Sequence, residues 1–280
     1  MHLKRWLTAI IALPILIYII GFCPRWIFYS LLCLISLAGL NEFYRLVIPD
    51  LHLFIKVIIS LLTLLFFFLM FRDILLAFVL FSLMMFIPML FFLFSNPLEG
   101  EVISSNIGKT VLGPLYVCLP LALLIHIDKL SLINQIDRFG YTGQNIYGIW
   151  IFFLLAIIFA NDTGAFYSGK LFGKHKLYEA VSPKKTWEGS IGGILLAIII
   201  ATFFLKILGP HPVDIKLLLI VILVSVAGQI GDLVESMLKR NHNVKDSGAL
   251  LPGHGGILDR IDSLLFAAPV LYIFLTITIK

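Results

Sequence analysis

The sequence predicts an all-α polytopic membrane protein with about nine transmembrane helices and catalytic loops on the cytoplasmic side. Three observations lead there. Of 280 residues, 60% are hydrophobic and 13% charged, with a mean hydropathy of +1.03; a soluble domain is about 45–50% apolar and about 25% charged. The apolar residues gather in runs close to the roughly 20 residues that a helix needs to cross a bilayer. The strong alternation of a membrane β-barrel strand is absent.

Taken in order, the runs lie at 6–22, 26–41, 53–71, 74–95, 110–127, 146–168, 189–208, 216–234 and 261–279. The first follows Lys4-Arg5 in the charge order of a signal peptide, but its 17 residues exceed a typical signal core. No clear small-x-small cleavage site follows, so it is expected to be a retained span. The second and eighth runs are short. Pairing of every backbone group within lipid makes helices the natural solution for all of them. Cys23, Cys33 and Cys118 lie in or beside apolar runs without a CxxC pair, as buried structural thiols do. The net charge is +5, but the basic residues are not grouped into a soluble module, which disfavours nucleic-acid binding. With the N-terminus inside, 14 of the 21 Lys and Arg residues fall on cytoplasmic segments, favouring an N-inside, C-outside topology.

Polar residues are concentrated late in the chain. Segments 161–189 and 229–262 carry eight of the 16 acids and nine of the 21 bases. Charges beside spans are costly unless they meet water, each other or a polar cavity. The division expected is an N-terminal transmembrane scaffold, 1–140, and a C-terminal catalytic region, 141–280. In the second segment, the helix of span eight is expected to run past Asp232, placing Asp232, Ser236 and Lys239 on one face. Pro252-Gly253 and Gly255-Gly256 break regular structure and allow close backbone approach. A new helix starting near Ile257 would put Asp259 and Asp262 on one face near its N-terminus. Asp232, Asp259 and Asp262 are therefore expected to converge from two helices. Converging carboxylates need a compensating cation, and oxygen-only ligands suit Mg²⁺. Lys239, Arg240, Lys245 and Arg260 suit a polyanion that shares the metal. The combination points to phosphoryl or nucleotidyl transfer; the plainer alternative is a salt-bridged loop that caps two helix ends.

In the first segment, Asp162 continues an apolar helix, as a functional carboxylate or as a lysine's structural partner. Lys184-Lys185 follow a Ser-Pro turn and precede a helix start, which suits either a phosphate site or a positive-inside anchor. Gly164/Ser168, Gly189/Gly193 and Gly192 permit close helix contact. His254 is placed either to orient phosphate or to close its turn.

The stretch from Ser236 through Asp262 reads S-x-x-K-R, four residues, K-D-x-small, then H-G-G-x-x-D-R-x-D. Over these 27 residues the chain resembles the phosphatidate cytidylyltransferase (CDP-diacylglycerol synthase) family. N-D-T-G-A-F at 161–166 and S-P-K-K-T-W-E-G at 182–189 are also similar to family segments. The resemblance implies conversion of CTP and phosphatidate to CDP-diacylglycerol and diphosphate. It implies a magnesium-dependent homodimer of the bacterial cytoplasmic (inner) membrane, with metal on Asp232, Asp259 and Asp262 and a second cation allowed. The catalytic candidates are Asp232, Lys239, Arg240, Lys245, Asp246, Asp259, Arg260 and Asp262. The substrate-binding candidates are Asp162, Lys184, Lys185, Ser236, His254, Gly255 and Gly256. A CTP-dependent polyprenol or phytol kinase is the alternative enzyme, and a membrane transporter the alternative from another class. The D-x-x-D pair does not fit the acid spacing of a CDP-alcohol phosphotransferase.

Overall fold

The computed structural model describes residues 13–95, 100–139, 148–208, 214–250 and 255–278. They form an α-helical membrane bundle. In order, α1 is 13–21, α2 Arg25–Val47, α3 Leu53–Arg72 and α4 Ile74–Ser95. Next come α5 Gly100–Gly113, a π-helical turn Pro114–Cys118, and α6 Leu119–Phe139. The last part holds α7 Ile149–Phe172, the strands β1 Lys176–Tyr178 and β2 Ser182–Thr186, then α8 Trp187–Leu208, α9 Ile215–Asn241 and α10 Leu258–Thr278.

Among the described residues, eight helical segments are long and apolar enough to cross a membrane. Of the expected first span, 6–22, residues 6–12 lie outside the described set and 13–21 form α1. The other eight appear with shifted ends. The second extends to Val47, the fifth joins α5, the π-turn and α6 over Ile103–Leu130, and the eighth extends to Asn241. Large apolar side chains such as Leu75, Phe94 and Leu171 remain exposed, as on a surface meant for lipid. The antiparallel β1–β2 hairpin was not expected from the apolar runs.

Small residues set the closest packing. The buried positions of α8 are Gly189, Gly193, Ala197, Ala201 and Leu205, spaced four apart on one face, and α7 packs along them more extensively than any other helix pair. A Cβ added at Gly164 would stand 2.8 Å from the Gly192 carbonyl oxygen and 2.9 Å from the Leu196 Cβ. We expect Gly164→Val to force these backbones apart and to lower the thermal unfolding temperature of the detergent-solubilised protein by many degrees; an unchanged midpoint would refute that packing role.

At the end of the bundle away from the two polar loops, Asp128 of α6 is fully buried and accepts from Arg25 Nη1 at 3.0 Å and Tyr29 Oη at 2.9 Å. Arg25 Nη2 also donates to the carbonyls of Ile20 and Cys23, tying the α1–α2 turn to α6. The π-turn has a sequence cause. Pro114 has no N–H, so the Thr110 carbonyl lacks its i+4 donor. Tyr44 Oη supplies a replacement at 2.7 Å, and Gly113 leaves room for it: an added Cβ would lie 2.8 Å from that hydroxyl.

Candidate active site

The two polar loops meet at one end of the bundle. Helix α9 is 27 residues long, about 40 Å at 1.5 Å per residue, which exceeds the ~30 Å hydrocarbon core. Asp214 caps its start, accepting from the Leu217 N–H at 2.8 Å. Its far end closes with Asn243 in the left-handed region (φ 55°) and with bonds from Asn243 N to Arg240 O and Val244 N to Lys239 O. Asparagine tolerates this conformation, and the motif turns the chain back on itself. The turn delivers Ser247 to the start of α10.

That start is held by carboxylates. Asp259 Oδ2 accepts from Ser247 N (3.0 Å), Ser247 Oγ (3.0 Å) and Gly256 N (2.7 Å), while Oδ1 binds Lys239 Nζ at 2.7 Å. Gly255 has φ +82°, and a Cβ there would lie 2.7 Å from Asp259 Oδ2, so glycine is required for the turn to close over that carboxylate. Lys239 is also ion-paired with the buried Glu235 one turn earlier. Of the expected Asp232, Asp259 and Asp262 set, Asp259 is engaged with a lysine and three hydrogen-bond donors, and it ties the loop to the helix start.

A different set lies within electrostatic reach: Asp162 on α7, Asp232 on α9 and Asp262 on α10. Asp232 Oδ2 binds Lys185 Nζ at 2.8 Å, its Oδ1 is 3.4 Å from Ser236 Oγ, and Asp262 Oδ1 accepts from Ser263 N at 2.7 Å. Asp162 is exposed at the edge of this group, with Lys185 also close enough to act on it. Among the described residues, no three Asp, Glu, His or Cys side chains close into a metal cage. Mg²⁺ seldom needs one, because it commonly takes one or two carboxylates and completes its shell with waters and substrate phosphate. The donors are all carboxylate oxygens, the like charges demand compensation, and among the described residues the ammonium group paired with this set is Lys185, on Asp232. Asp232 and Asp262, with Asp162 beside them, thus fit a hard divalent cation.

Lys184 and Lys185 do not act as one unit. Ser182 and Pro183 lie in β2, not in a turn, because β2 pairs with β1. Successive strand side chains point to opposite faces, so Lys185 reaches Asp232 while Lys184 faces out, exposed. Helix α8 does begin directly afterwards, with Thr186 Oγ1 accepting from Gly189 N at 3.1 Å. Glu188 accepts from the backbone N–H groups of Lys174 and His175 and lies 2.6 Å from His175 Nδ1, fixing the hairpin against α8. Arg240, Lys245, Asp246 and Arg260 are exposed around the rim. Gly256 is buried against Ser247 and Glu42. His254 lies outside the described residues.

Three contributors escaped the sequence reading. Asn161, Ser190 and Gln229 form a buried polar knot between α7, α8 and α9: Gln229 Nε2 donates to Asn161 Oδ1 at 2.8 Å, and Ser190 Oγ bonds Gln229 Oε1. It braces the helix turn that carries Asp162. Glu42 of α2 is 4% exposed; its Oε2 accepts from Leu258 N at 3.0 Å and Ser247 Oγ at 3.2 Å. Tyr116, in the π-turn, is the third. Glu42 and Asp162 share one legible signal, a carboxylate set in or against an apolar helix. Glu42 stands one residue beyond the predicted second span, and no motif marks it.

The chain is similar to the "Phosphatidate cytidylyltransferase" of Bacillus subtilis (strain 168), 49% identical over 146 residues, covering 52% of this chain and 51% of that protein. It is 50% identical over 126 residues to the protein of that name from Staphylococcus epidermidis, covering 45% of this chain and 48% of the relative. A Staphylococcus aureus (strain COL) protein of that name is 47% identical over 126 residues. The chain thus spans about half the length of the curated relatives it matches. The profile of the cytidylyltransferase family matches residues 3–278, nearly the whole chain, and the chain belongs to that family.

Proposed function

We propose that the protein is a phosphatidate cytidylyltransferase, joining CTP and phosphatidate to give CDP-diacylglycerol and diphosphate. The observation that carries this reading is the Asp162–Asp232–Asp262 group beside Lys185, where the two polar loops meet. The relatives' name supports the choice of substrates.

In this reading an oxygen of the lipid phosphate attacks the α-phosphorus of CTP, the bond between the α-phosphorus and its bridging oxygen to the β-phosphorus breaks, and diphosphate leaves. The nucleophile is already anionic, so no strong base is required. The main obstacle is repulsion between two anions. Bound Mg²⁺ would supply charge neutralisation and alignment of the phosphates. Asp232 and Asp262 would hold it, with Asp162 alongside and a second cation allowed. Lys185 orients Asp232. Arg240, Lys245 and Arg260 at the rim, with Lys184, attract and neutralise diphosphate and the lipid head group. Asp259, Lys239 and Ser247 keep the loop and the first turn of α10 in register. The acyl chains reach the site sideways between helices. The positive-inside bias supports a cytoplasmic-facing site in a bacterial inner membrane, and the family resemblance supports a homodimer.

The test is purified protein with phosphatidate, Mg²⁺ and CTP labelled at either phosphorus. Label from α-³²P-CTP is expected in lipid and label from γ-³²P-CTP in diphosphate. Lipid labelled from the γ position would identify a kinase instead. Solute uptake into vesicles without any lipid product would favour a transporter.

A further inference from the structure

The N-terminal half supplies a polar group to the acidic site that lacks a partner there. Tyr116 sits in the π-turn, a widened helical turn of the kind often found at functional sites. Its ring is fixed between Phe43 of α2, with centroids 5.8 Å apart, and Phe266 of α10, 6.3 Å apart. Phe266 lies one helical turn beyond Asp262. The segment is pressed against the start of α10: a Cβ added at Gly39 would meet Val117 at 3.1 Å on one side and Ile261 at 3.6 Å on the other. Tyr116 is 8% exposed, and its hydroxyl has no hydrogen-bond partner among the described residues. Glu235, Asp262 and Asp232 lie within electrostatic reach of it.

A buried hydroxyl without a partner incurs a desolvation penalty with no return, and such groups are rare. Phenylalanine would fill the same aromatic slot without that penalty. Facing carboxylates, a neutral phenol acts as a donor. Asp232 already has Lys185 and Ser236, and Asp262 has Ser263; Glu235 is ion-paired with Lys239, but its Oε1 has no hydrogen-bond donor among the described residues. The Tyr116 hydroxyl and Glu235 Oε1 do not bond each other, since both are without a hydrogen-bond partner among the described residues, so the hydroxyl is left for an additional anionic acceptor, one brought in together with the cation that the acids attract.

We propose that the Tyr116 hydroxyl is a substrate-binding group of this site, donating a hydrogen bond to a phosphoryl oxygen held between α9 and α10. The inference rests on the cytidylyltransferase reading above. The phosphoryl group belongs either to phosphatidate or to CTP, and both have the same chemistry at the acceptor oxygen. Tyr116→Phe keeps the ring and removes only the donor.

The experiment uses the full chain in detergent, wild type and Tyr116→Phe. Thermal unfolding is recorded alone, with CTP and Mg²⁺, and with phosphatidate, and KM is measured for each substrate. Loss of one hydrogen bond to a charged acceptor is expected to raise one KM about tenfold to a hundredfold. It should also shrink the stabilisation by that same ligand, while ligand-free Tyr116→Phe unfolds at the wild-type temperature or above. Which ligand is affected identifies the source of the phosphate. Unchanged KM values and unchanged ligand shifts would overturn the proposal. So would a Tyr116→Phe protein that is less stable without ligand but keeps both shifts, since the hydroxyl would then serve packing alone. Wild type that forms no product and is stabilised by neither ligand would sink the underlying reaction and this inference with it. Active wild type with an unaffected variant sinks only the role of Tyr116.

Discussion

Asp262→Asn is expected to cut product formation by about 10²–10³-fold while leaving the protein folded, the usual loss when one preorganised electrostatic contact is removed. Asp262 faces Asp232 and Asp162, and its one described donor is the adjacent Ser263 N–H. Neutralising it weakens the hold on the cation and relieves like-charge repulsion. The metal-free unfolding temperature should therefore hold or rise, and residual activity should require more Mg²⁺. Chelation of divalent cations should abolish wild-type activity. Asp259→Ala is expected to behave differently. It strips Lys239 of one of two acidic partners and frees the N–H groups of Ser247 and Gly256. It should lose activity and also about 3 kcal/mol of stability, the lower end of the range for removing one member of a buried pair, because Glu235 remains. Product assays and metal-free thermal unfolding on the two variants separate the roles. A destabilised Asp262→Asn beside a fully stable Asp259→Ala would reverse the assignment.

Glu42→Leu should lower kcat by about 10²-fold although Glu42 lies more than 200 positions from the residues it holds. Its carboxylate accepts from the first N–H of α10 and from Ser247, and Gly248 and Gly256 pack directly against it. Leucine leaves that N–H without a partner and lets the first turn of α10 move, taking Asp259 and Asp262 with it. Displacements near 1 Å at a reacting centre cost about that much in rate. Glu42→Gln keeps an acceptor oxygen of the same reach and should lose less than about tenfold. Steady-state kinetics on both variants decide. Wild-type turnover in Glu42→Leu would remove Glu42 from any positioning role.

Much of this site was legible because its parts are local. The extension of α9 past Asp232, the start of α10 next to Ile257, and the shared face of Asp232 and Ser236 follow from helical spacing and from the glycines that interrupt it. Close packing of α7 on α8 was readable in Gly164, Gly189 and Gly193 for the same reason. Lys184 and Lys185 were misjudged as a pair because β2 is short and polar, and only its pairing with β1 revealed the alternation that sends them apart. Glu42 was missed because it stands just past a span and Tyr116 because it is an isolated polar residue in an apolar stretch, each with neighbours supplied by helices distant in sequence.

Composition and spacing alone determined that this chain lives in a membrane as helices and that its reactive groups collect in two late loops. Both follow from the cost of leaving backbone or charge unpaired in lipid, a cost that every residue incurs locally. Tertiary structure decided which acid meets which base. Lys239 and Asp259 are 2.7 Å apart, as close as Lys185 and Asp232 at 2.8 Å. Ion pairing depends on distances of a few ångströms across helices, and no local pattern encodes them. Asp259, with three further donors, braces the loop, and Asp232 and Asp262 are the acids proposed to hold a cation.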